Sequence, residues 1–404
     1  RATRPGTGST PRRGWAPPLL FLGGGGGAGR KRLADARRVV VKVGSSLLTS
    51  LDSGLETSRI ESYCQQIGRL LETGREVILV TSGSIAEGCK RLGWARRPAE
   101  VHLLQAAAAV GQMGLIQVYE QALRSLNTGS AMVMPTHEDL ADRQRYLNAR
   151  ATLGALLRMG VVPIINENDT VATDEIRFGD NDTLGALVAN LVEADALIIL
   201  TDVAGLLDGD PRVNPAANVI SSAGAMDATL DQMAGGSTGG LGRGGMVTKV
   251  RAARLAARSG AHTVITSGHE PRILERLIEG EVIGTCLTAE LNPLAARKRW
   301  IAGQLRARGD LVLDAGAVVA IQERGVSLLA VGVKGVSGQF RRGDMVRCLD
   351  QSGAVVAQGL TNYSSSEVSL VRGLSSDEYV TVLEHVAEPE IVHRDNLVLM
   401  QDGS

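Results

Sequence analysis

The chain has 404 residues, room for two or three domains at roughly 150 residues each. With 44% apolar and 21% charged residues and a formal net charge of zero, it reads as an ordinary globular protein. That balance gives no whole-chain sign of a nucleic-acid or anionic-membrane partner. The four cysteines (Cys64, Cys89, Cys286, Cys348) are scattered with no CxxC pair, and the six histidines form no HxxxH or HExxH spacing. These patterns argue against a zinc site or a disulfide framework and fit a reducing compartment, so a cytoplasmic location is expected. No apolar run of about 18 residues appears, and no membrane span is expected.

Residues 1–35 are rich in Gly, Pro and Arg. Two prolines break their apolar patch "WAPPLLFL", which leaves no secretory h-region. The composition of residues 1–32, basic and acid-free, admits a transit peptide, but a mis-called upstream start is preferred. The stretch is set aside as a disordered tail. Next come "RRVVVKVGSSLLT", a strand ending in a Gly-Ser turn, and the helical "IESYCQQIGRLLETG", with Gly74 as its stop. "EVILVTSGSIAEG" repeats the strand-turn pattern. Then follow a helix near "LLQAAAAVGQMGLIQVYEQAL", the strand "SAMVMPT", a helix over "RQRYLNARATLGALLRMG" and the strand "VVPIIN". An acidic loop, the helix "TLGALVANLVEA", the strand "ALIILTDVAGL", the helix "MVTKVRAARLAARSG" and the strand "AHTVITSG" complete the series.

Strands that are apolar on both faces and alternate with helices predict a mainly parallel sheet covered on both sides. Ligands in such sheets sit beyond the C-terminal strand ends. Four of those ends carry small polar turns ("KVGSS", "VTSGS", "INEND", "LTDVAG") and are expected to converge. This α/β unit is assigned to residues 36–292. Residues 293–308 read as a linker, and 309–395, with short strands and frequent glycine turns, as a small β-rich domain.

Three features point to chemistry. Lys42 lies inside the apolar run "VVVKVG", where a buried ammonium without a partner is costly. At a strand end beside Gly44 it can serve a phosphate as a point charge, whereas an edge strand would let it reach water. In "GGLGRGGMVTK", glycines precede a helix whose free amides can cradle phosphate oxygens. Lys249 in its first turn opposes the helix dipole unless an anion is bound. The alternative is a surface loop with a solvated lysine. No Walker A pattern is present, and the GxGxxG match "GLGRGG" follows no strand.

The third feature is "NENDTVATDEIRFGDNDTLG" (Asn166–Gly185), which holds six acidic residues against one basic, Arg177. Asp169 can accept from a substrate ammonium, and Asn181 can bind a carboxylate or an amine. Asp182 can orient the two lysines or help hold magnesium, or it is only a helix N-cap. Thr201, Asp202 and the turn Thr81–Gly83 stand at neighbouring strand ends.

Together "VVKVGSSLLT", "VTSGSIAEG", "AAVGQMGL", "RQRYLNAR", "INENDTVATDEIRFGDND", "LTDVAGL" and "GLGRGGMVTK" resemble the glutamate 5-kinase (γ-glutamyl kinase) family, a branch of the amino-acid kinases. The β-rich segment is similar to the PUA domain attached to bacterial members. The resemblance covers about residues 36–395. The "NEND…GDND" loop and the appended domain favour this branch over acetylglutamate kinases, aspartokinases and uridylate kinases. It implies a three-layer sandwich that uses ATP and Mg²⁺ to phosphorylate the side-chain carboxylate of L-glutamate. The product would be L-glutamyl 5-phosphate, the first intermediate of proline biosynthesis from glutamate.

By the same likeness, Lys42 and Lys249 would flank the transferred phosphoryl group with Asp182 holding them. Ser82, Asp169 and Asn181 would bind glutamate. Lys42, Thr201, Asp202 and the run Arg243, Gly244, Gly245, Met246, Val247, Thr248 and Lys249 would bind ATP. No residues are assigned as direct metal ligands. The likeness also implies proline inhibition at the glutamate site, a homo-oligomer (dimer or tetramer) and functional coupling to glutamyl-phosphate reductase. The chain departs from the family pattern at Val247, where a Ser or Thr is usual, at Arg243, and in its N-terminal tail. PUA domains elsewhere bind RNA, and "RKR" (297–299), Lys334 and "FRRGD" (340–344) are basic here. With aromatics at 3% of the chain there is little for bases to stack on, so a solvated charged surface is the better reading.

Overall fold

The computed structural model describes residues 20–21, 26–50, 54–172, 181–209, 214, 216–235, 245–290, 295–296, 298, 307–383 and 388–400. In chain order the first part contains β1 (Leu20–Phe21), α1 (Gly26–Ala34), β2 (Arg38–Val43), α2 (Ser45–Leu48), β3 (Thr49–Ser50), β4 (Gly54–Leu55), α3 (Thr57–Glu72), β5 (Glu76–Val80) and α4 (Ser84–Arg91). It continues with α5 (Val101–Arg124), β6 (Ser130–Val133), α6 (His137–Ala141), α7 (Arg143–Arg158), β7 (Val162–Ile165), α8 (Asn181–Leu191), β8 (Ala196–Thr201), β9 (Ile220–Gly224), α9 (Thr229–Gly235), α10 (Met246–Arg258), β10 (His262–Ser267), α11 (Ile273–Ile278) and β11 (Thr285–Thr288).

Nine strands form one sheet in the order β1-β9-β11-β10-β8-β2-β5-β7-β6. The six from β10 to β6 run parallel, and β11 is antiparallel to β10. The sheet is therefore mainly parallel, and β2 is central, paired with β8 on one side and β5 on the other. Strand residues alternate between two cores, as a two-residue side-chain period requires. Val40, Ile78, Val80, Leu197 and Ile199 pack with Leu153 and Leu157 of α7, Leu184 and Val188 of α8 and Val250 and Ala253 of α10. Val39, Val41, Leu79, Ile198 and Leu200 face Ile60 and Ile67 of α3, Leu115 and Tyr119 of α5 and Leu274 of α11. This is a three-layer sandwich.

Glycine sets one helix contact. A Cβ at Gly88 would stand 1.7 Å from the Ala107 carbonyl oxygen, and one at Gly111 would stand 1.8 Å from that of Ser84. α4 and α5 therefore touch backbone to backbone. α5 is long and apolar enough to cross a membrane by length and composition alone. It lies along α4 and α3, with Leu104, Leu115, Tyr119 and Leu123 in the cores.

Part of the segment read as a disordered tail is ordered. Residues 26–34 form α1, and Leu33 is fully buried against the α3/α11 side of the sheet. Arg30 donates to the carbonyls of Ser221 (3.2 Å) and Gly284 (2.9 Å). One apolar anchor and these bonds give α1 a docking face that its glycine-rich composition does not advertise.

The second domain has its own sheet of β12 (Gly309–Leu313), β13 (Val333–Gly338), β14 (Met345–Leu349), β15 (Val355–Leu360) and β16 (Leu397–Leu399), ordered β13-β12-β14-β15-β16. Asp314 caps helix α12 (Ala315–Arg324) by accepting from the Ala317 amide at 2.8 Å. A capping box on Ser364 and Glu367 opens α13 (Ser365–Val371). Its core, including Leu311, Ile321, Val346, Cys348, Val368 and Ile391, is separate from the two cores above.

Candidate active site

Because β2, β5, β7, β8 and β10 are parallel, their C-terminal ends lie on one edge of the sheet. Backbone bonds stitch the turns that follow. The Gly44 amide donates to Leu200 O at 3.1 Å, Thr81 to Ile165 O at 2.8 Å, and Gly268 to Thr201 O at 2.8 Å. The four polar turns expected to converge do so, and a fifth, Ser267–Gly268 after β10, joins them.

Lys42 is the penultimate residue of β2, opposite Val80 and Ile199. Its stem runs over Gly185 of α8, where the position of a Cβ lies 3.4 Å from the lysine Cβ. The strand is central and Lys42 is only 6% exposed, so escape to water is ruled out. Its ammonium meets Asp182 Oδ1 at 2.7 Å. Lys249 of α10 is 5% exposed and meets Asp182 Oδ2 at 3.0 Å. The solvated-lysine alternative fails for Lys249. Thr248 adds a hydroxyl donor to the same Oδ2 at 2.9 Å.

Asp182 is the second residue of α8, which opens at Asn181, so its carboxylate serves these cations rather than capping the helix. Burial pushes its carboxyl upward, but Lys42 and Lys249 outweigh burial and bring it down to about 2. Among the described residues this is a buried unit of two lysines around one aspartate, a setting suited to an anion.

The Gly245 N-cap contributes no side chain to the amides at the start of α10. That leaves the first turn, beside Lys249, as an anion seat. Met246 packs against the core and Val247 is exposed. Arg243 and Gly244 lie outside the described residues. Thr201 is buried at the end of β8 and donates to the exposed Asp202 at 3.0 Å.

Beside Asp182, Asn181 opens a second cluster, of amides and hydroxyls. The Asn181 amide nitrogen lies 2.8 Å from Thr81 O, 2.8 Å from Ser82 Oγ and 3.1 Å from Asn166 Oδ1. Ser84 donates to Asp169 Oδ2 at 3.4 Å. Gly83 holds the turn between them in a left-handed conformation, φ 106°. Ser82, Asp169 and Asn181 are each at most 4% exposed. The structure thus gathers Lys42, Lys249, Thr248 and Asp182 into one cluster and Ser82 and Asn181 into another, with Asp169 alongside.

The sequence reading missed Thr248 as an Asp182 partner, and with it Asn166, Gln112 and the pair His137–Glu167 at 2.7 Å. Asn166 and Glu167 sat inside the acidic stretch and were available to it. Gln112 and His137 carry no local signal, because only the tertiary fold brings them to the strand ends. Among the described residues, no group of three or more His, Cys, Asp and Glu side chains is arranged to hold a metal.

A sequence profile of the amino acid kinase family matches residues 37–267, and one of the PUA domain matches 309–383. A glutamate 5-kinase of Variovorax paradoxus is 58% identical over 374 residues, covering 93% of this chain and 99% of its own. Glutamate 5-kinases of Polaromonas sp. and Paraburkholderia phymatum are each 58% identical over 371 residues, covering 92% of this chain and 98% and 100% of theirs. With buried lysines sharing one aspartate at the ends of parallel strands, and with this likeness along nearly its whole length, the chain belongs to the glutamate 5-kinases, a branch of the amino acid kinase family, with an appended PUA domain.

Proposed function

We propose that this chain phosphorylates the side-chain carboxylate of L-glutamate with ATP, giving L-glutamyl 5-phosphate and ADP as the first step of proline biosynthesis. The observation that carries this reading is the buried Lys42–Asp182–Lys249 unit, set between a helix N-terminus and an amide-lined pocket. A glutamate carboxylate is ionised near neutral pH, so no general base is needed. Its oxygen attacks the γ-phosphorus, the bond to the bridging β–γ oxygen breaks, and ADP departs. Phosphoryl transfer asks the protein for positioning and charge stabilisation.

Lys42 and Lys249 neutralise the transferred group, and Asp182 fixes their separation. Ser82, Asp169 and Asn181 seat the amino acid. Thr201, Asp202 and residues 243–249 seat the nucleotide. Both Asp182 oxygens are engaged by lysines at 2.7 and 3.0 Å, so Mg²⁺ is assigned to the nucleotide phosphates rather than to a protein cage. There it would supply further neutralisation of phosphate charge.

Proline as inhibitor at the glutamate pocket, a homo-oligomeric state, coupling to the reductase that consumes the acyl phosphate and a cytoplasmic location complete the reading. Hydroxylamine trapping of the acyl phosphate tests it across L-glutamate, N-acetylglutamate and L-aspartate. ATP- and Mg²⁺-dependent hydroxamate with L-glutamate alone is expected. Turnover of another acid in its place would overturn the substrate assignment.

A further inference from the structure

One oxygen of the Asp182 carboxylate faces two donors. Oδ2 lies 3.0 Å from the Lys249 ammonium and 2.9 Å from the Thr248 hydroxyl, while Oδ1 lies 2.7 Å from Lys42. Both Oδ2 donors stand side by side near the start of α10, where Met246 packs against the core and Val247 faces outward. The Thr248 hydroxyl has one proton and two acceptors within reach, since the Gly245 carbonyl oxygen is 2.7 Å away. That carbonyl already accepts from the Thr248 amide at 3.1 Å. An ionised carboxylate is the stronger acceptor, so the hydroxyl proton is directed to Asp182.

On the phosphoryl-transfer reading given above, on which this inference rests, Lys249 must turn N–H groups toward the transferred group as charge develops on its oxygens. Asp182 Oδ2 has little access to water as a replacement donor, because the residue is 1% exposed. A buried carboxylate oxygen left without a donor is costly. We propose that Thr248 is a positioning residue for phosphoryl transfer. Its hydroxyl keeps Oδ2 satisfied, so Lys249 is drawn toward the phosphoryl group while Asp182 stays ionised and keeps its hold on Lys42. Thr248 thus acts through Asp182 and Lys249. The role is separate from the seat that the backbone amides of α10 offer an anion, and it needs the hydroxyl rather than the shape of the side chain.

Thr248→Val keeps the branched shape and removes the hydroxyl, and Thr248→Ser keeps the hydroxyl. Hydroxamate formation is followed with L-glutamate, or with whichever acid the wild-type enzyme turns over, and kcat and the KM for ATP are read separately. In Thr248→Val, kcat is expected to fall about tenfold, the size of one hydrogen bond to a charged group, with the KM for ATP within about threefold. Thr248→Ser is expected to keep kcat within about threefold of the wild type. In a Lys249→Met background, Thr248→Val is expected to cost less than about twofold more, because the residue it serves is gone. An equal loss in both backgrounds would show that Thr248 acts independently of Lys249 and would overturn the proposal. So would a Val variant with unchanged kcat, one that loses only affinity for ATP, or a Ser variant no better than Val. Thr248→Ala gives the same comparison if the Val variant unfolds early. A wild-type enzyme that turns over no acid overturns the functional reading itself, and this proposal with it.

Discussion

At the edge of the nine-stranded sheet, Lys42 of β2, Asp182 of α8 and Lys249 of α10 meet at 1–6% exposure. In the five-stranded sheet, Arg347 meets Asp310 at a similar 2.6 Å, but their side chains are 49% and 20% exposed. Lys334 reaches Asp314 only at 3.8 Å, with its own side chain 56% exposed. The distances alone would rank the Arg347 pair with the buried one. Burial separates them, because desolvation makes an ion expensive and a fold keeps such ions only where something repays the cost. Among the described residues the buried set joins two lysines to one aspartate, whereas Arg347 and Asp310 form a simple exposed pair. Buried charge at strand ends marks the place for an anionic substrate, and exposed paired charge marks a solvated surface.

This contrast is sharpened first by removing a lysine. Lys249→Met should lower kcat by about 10³-fold with near-native secondary structure, as loss of a preorganised charge at the transferred group does. An effect under tenfold would place Lys249 outside the chemistry. Asp182→Asn comes next, since it leaves two buried ammonium groups without their counter-ion. Urea unfolding near pH 7 should show a loss of about 3 kcal/mol. The stabilisation that Asp182 provides should be present above its unfolded value near 4 and vanish as the pH falls towards about 2, because the folded carboxyl is held down by the lysines. A variant as stable as the wild type would show that the triad is not strained by charge.

A third test lies in the core rather than the site. His262 accepts from the Ala289 amide at 3.1 Å and must stay neutral to do so. Burial, with Arg32 nearby, lowers it to about 4. The unfolded chain therefore binds a proton that the native state refuses, and stability should fall as the pH drops from about 6.5 to 4. His262→Asn should flatten that slope in thermal melts read by circular dichroism. An unaltered slope would assign the acid sensitivity to other groups. The smallest effect belongs to the exposed pair. Arg347→Ala should change stability by less than about 1 kcal/mol and leave the kinetics unaltered. A larger loss would break the distinction between the two sheets.

Much of this was legible in the chain. Strand runs such as "RVVVKV" and "ALIILT" are apolar on both faces, which only a sheet covered on two sides tolerates, and a lysine inside one of them stands out. Asp182 was ambiguous, because a carboxylate at a helix start is either a cap or a ligand. Its partners, Lys42 and Lys249, lie 140 and 67 residues away in sequence. α1 was missed because glycine-rich composition masks its single anchor, Leu33. Gln112 and His137 were missed because a polar residue on an apolar or short helix says nothing of which strand end it will face. Local periodicity encodes elements, while the contact of Gln112 with Asn166 exists only after α5 has packed against the sheet.

The most direct measurement compares wild-type enzyme and Lys42→Met in the hydroxylamine-trapped assay with L-glutamate, ATP and Mg²⁺. The account predicts that kcat falls about 10³-fold while the variant keeps its fold, because the charge facing the transferred phosphoryl group is gone. Turnover near the wild-type rate would contradict it and would reduce the buried lysine–aspartate unit to a structural feature of the sheet edge.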